Sequence, residues 1–325
     1  MSNKQNASSC PVGRPSIGGQ AVMEGVMMNG NHHYTVAVRD PGQNIRTEIF
    51  ERQSITEKYR VLNLPIIRGV IRFVESMVIG FRTLDYSADV FIEDEEPKKE
   101  PKTSFGCFWA KTGDRILTTL SMILAVGLAL LLFVYVPVRV ARLIAVTWLN
   151  VPVILGLLEG LIRMSVFILY IFLVSRIKDI KRTFEYHGAE HKTINCFEAE
   201  KPLTVENVRT MSRYNKRCGT SFLFIIMLVS ILVFSLIRIT DPLWRFIIHL
   251  LMVPVIAGLS YEVLKLSSRS KSVILNALVA PGLWIQRLTT REPDDQEIEV
   301  AIASVIRLFE EEYPEYIDES AHDEQ

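Results

Sequence analysis

Four long, mostly apolar runs constrain this chain more than any other feature. They cover 116–136, 151–174, 221–239 and about 244–264, and charged sequence flanks them. A helix crossing a bilayer needs about 20 apolar residues. The pattern predicts a mainly α fold: a polytopic helical membrane protein with about four transmembrane helices. The first run ends before Pro137, which cannot continue a regular helical ladder. The second has Asn150 placed as a cap and Pro152 in its first turn. It carries Glu159 and Arg163 four residues apart near its middle. Charged groups at that depth face the bundle interior or a wet cavity. They either pair with each other or line a polar groove for a substrate. Gly156-x-x-x-Gly160 on the same run allows close helix packing, and Pro254 and Gly258 predict a kink in the fourth.

The connection between the second and third runs, 176–220, is rich in Lys and Arg, whereas the other connections carry far fewer. Basic loops stay on the cytoplasmic side. The expected placement is therefore a bacterial inner membrane, multi-pass, with both termini cytoplasmic. Lys plus Arg (36) balances Asp plus Glu (36), which leaves no global attraction to nucleic acid. The lipid bilayer is the expected partner, with a membrane-protein partner as a further candidate.

Residues 1–15 are polar and lack the apolar core of a signal peptide, which predicts disorder without cleavage. Residues 16–58 read as a small β-containing cytoplasmic region. Its first part, 17–30, has four glycines at positions suited to positive φ. Tyr34–Arg39 and Ile45–Phe50 alternate around a Pro41-Gly42 turn, the pattern of a hairpin. No Gly-Lys-Ser/Thr follows, so this is not a phosphate loop. The glycine-rich stretch is either a set of tight turns or a loop covering a site, with Glu24 as ligand or base. Residues 59–90 read as an amphipathic interfacial helix. Ile67, Ile71, Val74, Val78 and Phe81 form one stripe, and Arg68, Arg72, Glu75 and Arg82 another. The alternative is a surface helix docked on the bundle.

Residues 91–112 form a charged, proline-broken linker. Transmembrane pairs occupy 113–175 and 221–266, and 267–290 reads as an interfacial or re-entrant segment interrupted by Pro281-Gly282. In 291–325, Asp294 or Asp295 caps a soluble helix whose buried stripe is Ile298, Ile302, Val305 and Phe309. An acidic, solvated tail follows Glu310. Cys10, Cys107, Cys196 and Cys218 form no CxxC pair and are expected as thiols.

The basic connection contains His187-Gly188-Ala189-Glu190-His191. Two histidines four apart share one helix face. Imidazole is the commonest side-chain metal ligand, and a carboxylate beside such a pair can serve as base in metal-assisted hydrolysis. This order is the inverted zinc-protease pattern. His187 and His191 are the candidate metal ligands and Glu190 the candidate catalytic base. Cys218 is the first candidate for third ligand, with Glu262, Cys196 and Glu24 as alternatives. Imidazole with thiolate favours Zn²⁺ among the divalent transition metals. The plain alternative is a polar cluster that pins the loop to the spans.

Several blocks act together as a signature: Gly18-Gly19-Gln20-Ala21-Val22-Met23-Glu24-Gly25, Leu64-Pro65-x-x-Arg68-Gly69, Tyr186-His187-Gly188-Ala189-Glu190-His191-Lys192-Thr193, Arg217-Cys218-Gly219-Thr220-Ser221-Phe222, and Pro281-Gly282-Leu283-Trp284 running on to Asp294. By these the chain resembles the bacterial YqhQ family, a membrane family of unknown function, over about residues 16–310. The family is often described as a predicted metal-dependent enzyme, so the resemblance implies a metal site. Its usual His-Pro before Arg-Cys-Gly-Thr-Ser stands here as Asn215-Lys216, which removes a histidine from that position. Two functions follow as expectations. One is a metal-dependent enzyme, a hydrolase, working at the cytoplasmic membrane face. The other is a non-enzymatic assembly or interaction factor, such as a partner in membrane-protein insertion, whose His/Glu cluster is structural. A transporter fits less well, because the chain shows no internal repeat.

Overall fold

The computed structural model describes residues 15, 17–92, 104–148, 152–215, 218–237, 239, 242–269 and 273–316. The polar N-terminus, the middle of the charged linker, Asn150 and the end of the acidic tail lie outside them.

Four strands open the described chain: β1 (Gly18–Val22), β2 (Gly25–Asn29), β3 (His33–Arg39) and β4 (Ile45–Glu51). They form an antiparallel meander in the order β1-β2-β3-β4. Helices follow: α1 (Ile55–Lys58), α2 (Ile67–Ile92), α3 (Ser104–Leu130), α4 (Val136–Trp148), α5 (Pro152–Val174), α6 (Lys178–Glu198), α7 (Val205–Thr210), α8 (Gly219–Leu236), α9 (Pro242–Arg269), α10 (Val273–Thr289) and α11 (Asp295–Glu312). Among the described residues, four stretches are long and apolar enough to cross a membrane: Thr119–Ile144, Ile154–Val174, Gly219–Leu236 and Ile247–Ser267.

The sheet is covered on both faces. Val26 and Met28 join Tyr186 and Ala189 of α6 and Ile298, Val305 and Phe309 of α11 in one core. On the other face, Val22, Met27, Val36 and Val38 meet Ile79, Tyr86 and Val90 of α2. Burial on both sides explains why β2 is almost continuously apolar. The expected hairpin is present as β3–β4, with Val38 opposite Arg46. The glycine-rich stretch is the β1–β2 hairpin, and its positive φ (49°) falls on Glu24; among the described residues no glycine has one. Gly19 and Gly25 serve close approach instead: a Cβ at Gly25 would strike the Ala37 carbonyl.

α11 carries the expected cap. Asp294 accepts from the Glu297 N–H (2.9 Å) and Glu297 returns a bond to the Asp294 N–H (2.9 Å). Its other end departs from the expected solvated tail. The Glu312 carboxylate accepts the N–H groups of Asn31 (2.6 Å), His32 (3.1 Å) and His33 (2.9 Å) in the β2–β3 turn. Burial alone would raise its pKa, but the Tyr313 hydroxyl and those three donors hold it below the usual carboxylate range.

The expected stop at Pro137 is overturned. The helix runs on from α3 through a π turn (Leu131–Tyr135) into α4. Proline leaves the carbonyl four residues back without its N–H donor. That carbonyl belongs to Phe133, and Arg163 Nε donates to it at 2.9 Å. Arg163 Nη2 also pairs with Glu159 (3.1 Å). The two charges pair with each other, and the arginine repairs the break made by the proline. α5 meets α8 along the small-residue pattern: a Cβ at Gly156 would lie 2.9 Å from Ser235 Cα, and one at Gly160 2.4–3.1 Å from Ile231 would displace it. The segment 273–288 is one helix continuing through Pro281 and packed on α8.

Candidate metal centre

α6 occupies nearly half of the connection expected as a loop. It puts His187 and His191 on one face, with ring centroids 4.4 Å apart. Each imidazole is oriented by a main-chain carbonyl. His187 Nδ1 lies 2.8 Å from the Thr289 oxygen, and His191 Nδ1 lies 2.6 Å from the Arg213 oxygen. A carbonyl can only accept, so both Nδ1 atoms carry the proton and both Nε2 atoms carry a lone pair. This is how metal-ligating histidines are fixed by their surroundings.

The two Nε2 atoms converge on Cys218, the N-cap of α8. His187 Nε2 lies 3.2 Å from Cys218 Sγ, and the thiol donates to it in the neutral pair. The sulfur accepts from the Thr220 N–H at 3.4 Å. His191 is buried, and its Nε2 has no hydrogen-bond partner. An orphaned buried acceptor is costly unless something else fills its lone pair. The ligand atoms of His187, His191 and Cys218 all lie within 4.8 Å of one another. Donors around a tetrahedral Zn²⁺ with bonds of about 2.0–2.3 Å stand roughly 3.3–3.7 Å apart. The trio fits such an ion after a small inward closure.

Glu190 Oε2 lies 3.7 Å from both Nε2 atoms. Burial pushes its carboxyl up to about 7, with His187 pulling the other way. β1 seals this side, since a Cβ at Gly19 would lie 2.6 Å from Glu190 Cγ.

Other third-ligand candidates are elsewhere. Glu24 binds Arg182 Nε (2.5 Å) and accepts from the Tyr186 hydroxyl (3.3 Å), so it is neither ligand nor base. Glu262 holds Arg68 through two bonds, 2.7 and 2.5 Å. Cys196 is buried against the Lys201 and Pro202 carbonyls, and burial pushes its thiol up to about 11.

Sequence reasoning missed the residues that aim the ligands. Gly188 admits the 289–291 segment: a Cβ there would collide with the Arg291 carbonyl, and the Arg291 N–H bonds the Phe184 carbonyl (2.8 Å). That contact delivers the Thr289 oxygen to His187. Gln286, fully buried, brackets Asn215 through its N–H (3.0 Å) and carbonyl (2.7 Å) and so fixes the approach to Cys218. Asn195 holds the Ser212 and Tyr214 carbonyls at 2.6 and 3.1 Å, on either side of Arg213. A glycine inside a helical polar stretch was the one readable signal. The Asn215 side chain bonds Asn195 Oδ1 (3.3 Å).

Residues 64–311 match the family described as "Protein of unknown function (DUF1385)". The chain is 38% identical over 304 residues to "Uncharacterized protein YqhQ" of Bacillus subtilis (strain 168), covering 91% of this chain and 92% of that relative. No solved structure matches it. The matched region contains His187, Glu190, His191 and Cys218, and the chain belongs to this family of unknown function, DUF1385.

Proposed function

We propose that this protein is a multi-pass bacterial inner-membrane metalloenzyme, a metal-dependent hydrolase with its centre at the cytoplasmic membrane face. His187, His191 and Cys218 hold a divalent transition ion, Zn²⁺ foremost. When bound, such an ion supplies Lewis-acid chemistry. Glu190 holds and moves the proton at its Oε2, and β1 keeps bulk water from that carboxylate. The four span-length helices among the described residues and the basic 176–220 connection, which contains α6 and α7, support the membrane placement and the cytoplasmic side. The observation that carries the reading is the pair of Nδ1-to-carbonyl bonds. They commit both histidines to present Nε2 to a thiol while leaving one buried Nε2 without a partner.

Cobalt substitution tests it. Co²⁺-loaded wild type is expected to show thiolate-to-metal charge transfer that disappears in Cys218→Ser. Glu190→Gln is expected to keep the metal and lose hydrolysis in a screen of ester, phosphoester and peptide substrates. One observation favours a second reading. Glu190 Oε2 stands equally close to both imidazoles and can complete a closed four-donor site. A closed site is structural rather than catalytic and would fit a non-enzymatic assembly factor. Under that reading Glu190→Gln loses the metal itself.

A further inference from the structure

α2 is built inside out. Most of the buried positions on the face it turns to the protein are small or polar, Gly69, Gly80, Thr83 and Ser87, with Val90 the apolar one. A Cβ at Gly69 would lie 2.9 Å from Gly258 of α9, and one at Gly80 2.9 Å from the Gln20 side chain of β1. Glu75 accepts from Ser54 and from the Ile55 N–H, and Arg68 holds Glu262. Apart from Val90, Ile79 and Tyr86 on the sheet and Phe73 on Phe222, large apolar residues point the other way. Ile67, Val74, Met77, Val78, Phe81 and Leu84 are all exposed, Phe81 by 66%. A helix serving only to cover a soluble core does the reverse, and a contiguous apolar surface of this kind marks an interaction site.

We infer that this face of α2 lies in the phospholipid bilayer, in the plane of its cytoplasmic interface. Three observations select lipid over a protein partner. The helix is joined to α9, a span-length helix, at Gly258 and Glu262, and Leu266 one turn further along α9 is exposed as well. The outward surface of α2 therefore begins against the second half of a candidate span, Ile247–Ser267. From Ile67 to Phe81 the exposed positions are apolar apart from Ser76, and exposed charge starts at Arg82, Asp85 and Asp89. The first part of the helix is suited to acyl chains and its far end to water. The exposed apolar part, 67–81, is fifteen residues long and is followed by exposed Arg82, Asp85 and Asp89, which is short of the about 20 residues that a transverse helix needs. Shallow in-plane burial of one face satisfies all three.

The test uses the full chain with Cys10→Ser and Cys107→Ser, reconstituted in vesicles of phosphatidylethanolamine and phosphatidylglycerol. A nitroxide is placed through Val78→Cys, Phe81→Cys or Asp89→Cys. Labels at 78 and 81 are expected to collide with oxygen several-fold more than with a water-soluble nickel chelate, and the label at 89 to show the opposite ratio. Equal nickel access at 78, 81 and 89 would overturn the inference, because the face would then be wet. Spin–spin broadening at 78 and 81 that vanishes on dilution with unlabelled protein would also overturn it, because a second copy would be the occupant. Both readouts are independent of bound metal.

Discussion

The centre depends on atoms that neither bind metal nor carry charge. Gly19 and Gly188 are the clearest cases, because each is replaced at the site by another group pressing in: the Glu190 side chain at one and the Arg291 carbonyl at the other. Gly188→Ala is expected to push the 289–291 segment away and free His187 from Thr289. Metal affinity should then fall by at least tenfold, about 1.4 kcal/mol, while far-ultraviolet dichroism stays helical; unchanged affinity by competition with a chelator would contradict this role. The histidine pair and its carboxylate were legible because i, i+4 spacing survives in any helix. Cys218 stands first among four candidate third ligands in the sequence, but pattern alone could not settle it, because it lies 27 positions beyond His191 and only the fold brings the three together. The orienting carbonyls were invisible for a simpler reason, that every residue has one. Glu297 supplies a pH signature away from the centre. Its carboxyl is pushed up to about 7, chiefly by burial. A raised folded-state value means the contribution to stability is fully present below the unfolded value near 4.5 and is lost as pH rises through 7. Glu297→Gln, which keeps a side-chain acceptor for the cap, is expected to flatten that part of the stability–pH curve measured by denaturant unfolding in detergent.

Hydrophobic patterning located every span-length helix, since length and composition suffice for that. It failed at Pro137, where the local rule says stop and a tertiary contact supplies the missing donor. Arg163 thus has two tasks, neutralising Glu159 and bonding Phe133. Arg163→Met should cost about 3–5 kcal/mol, the range for stranding one member of a buried pair. Adding Pro137→Ala restores a backbone N–H to the Phe133 carbonyl and should recover part of that loss. Strict additivity of the two changes in thermal unfolding would refute the link. The sheet was half legible. Alternation and turn residues gave the β3–β4 hairpin, while the β1–β2 hairpin was hidden by glycines whose purpose is close approach to α6 and β3. Its neighbouring turn is closed by Glu312, far away in sequence. Glu312→Ala leaves three N–H groups to find water and should lower stability by about 1–3 kcal/mol, as read by hydrogen exchange at residues 30–33.

In the whole molecule, the centre is the joint between two kinds of structure. α6 packs on the sheet and α11, while Cys218 begins α8 and Thr289 ends α10. An ion held by His187, His191 and Cys218 would tie the sheet-bearing part to the span-length helices through one set of bonds. β1 lies against Glu190 on one side and, through Gln20, against α2 on the other. The candidate chemistry is therefore one strand away from the helix inferred to lie in lipid. None of this arrangement follows from pattern alone, because β1 and α6 are separated by most of the first half of the chain. Metal that binds only the folded protein stabilises it by about 2.7 kcal/mol when free ligand exceeds the dissociation constant a hundredfold, so chelation should lower the unfolding temperature of wild type and leave His191→Ala unmoved. The most direct measurement is elemental analysis of detergent-purified wild type beside His191→Ala. Near-stoichiometric zinc or another transition metal in the wild type, lost in the variant, is the predicted result. Folded wild type with no bound metal after loading with Zn²⁺, or equal metal in both proteins, would contradict the account.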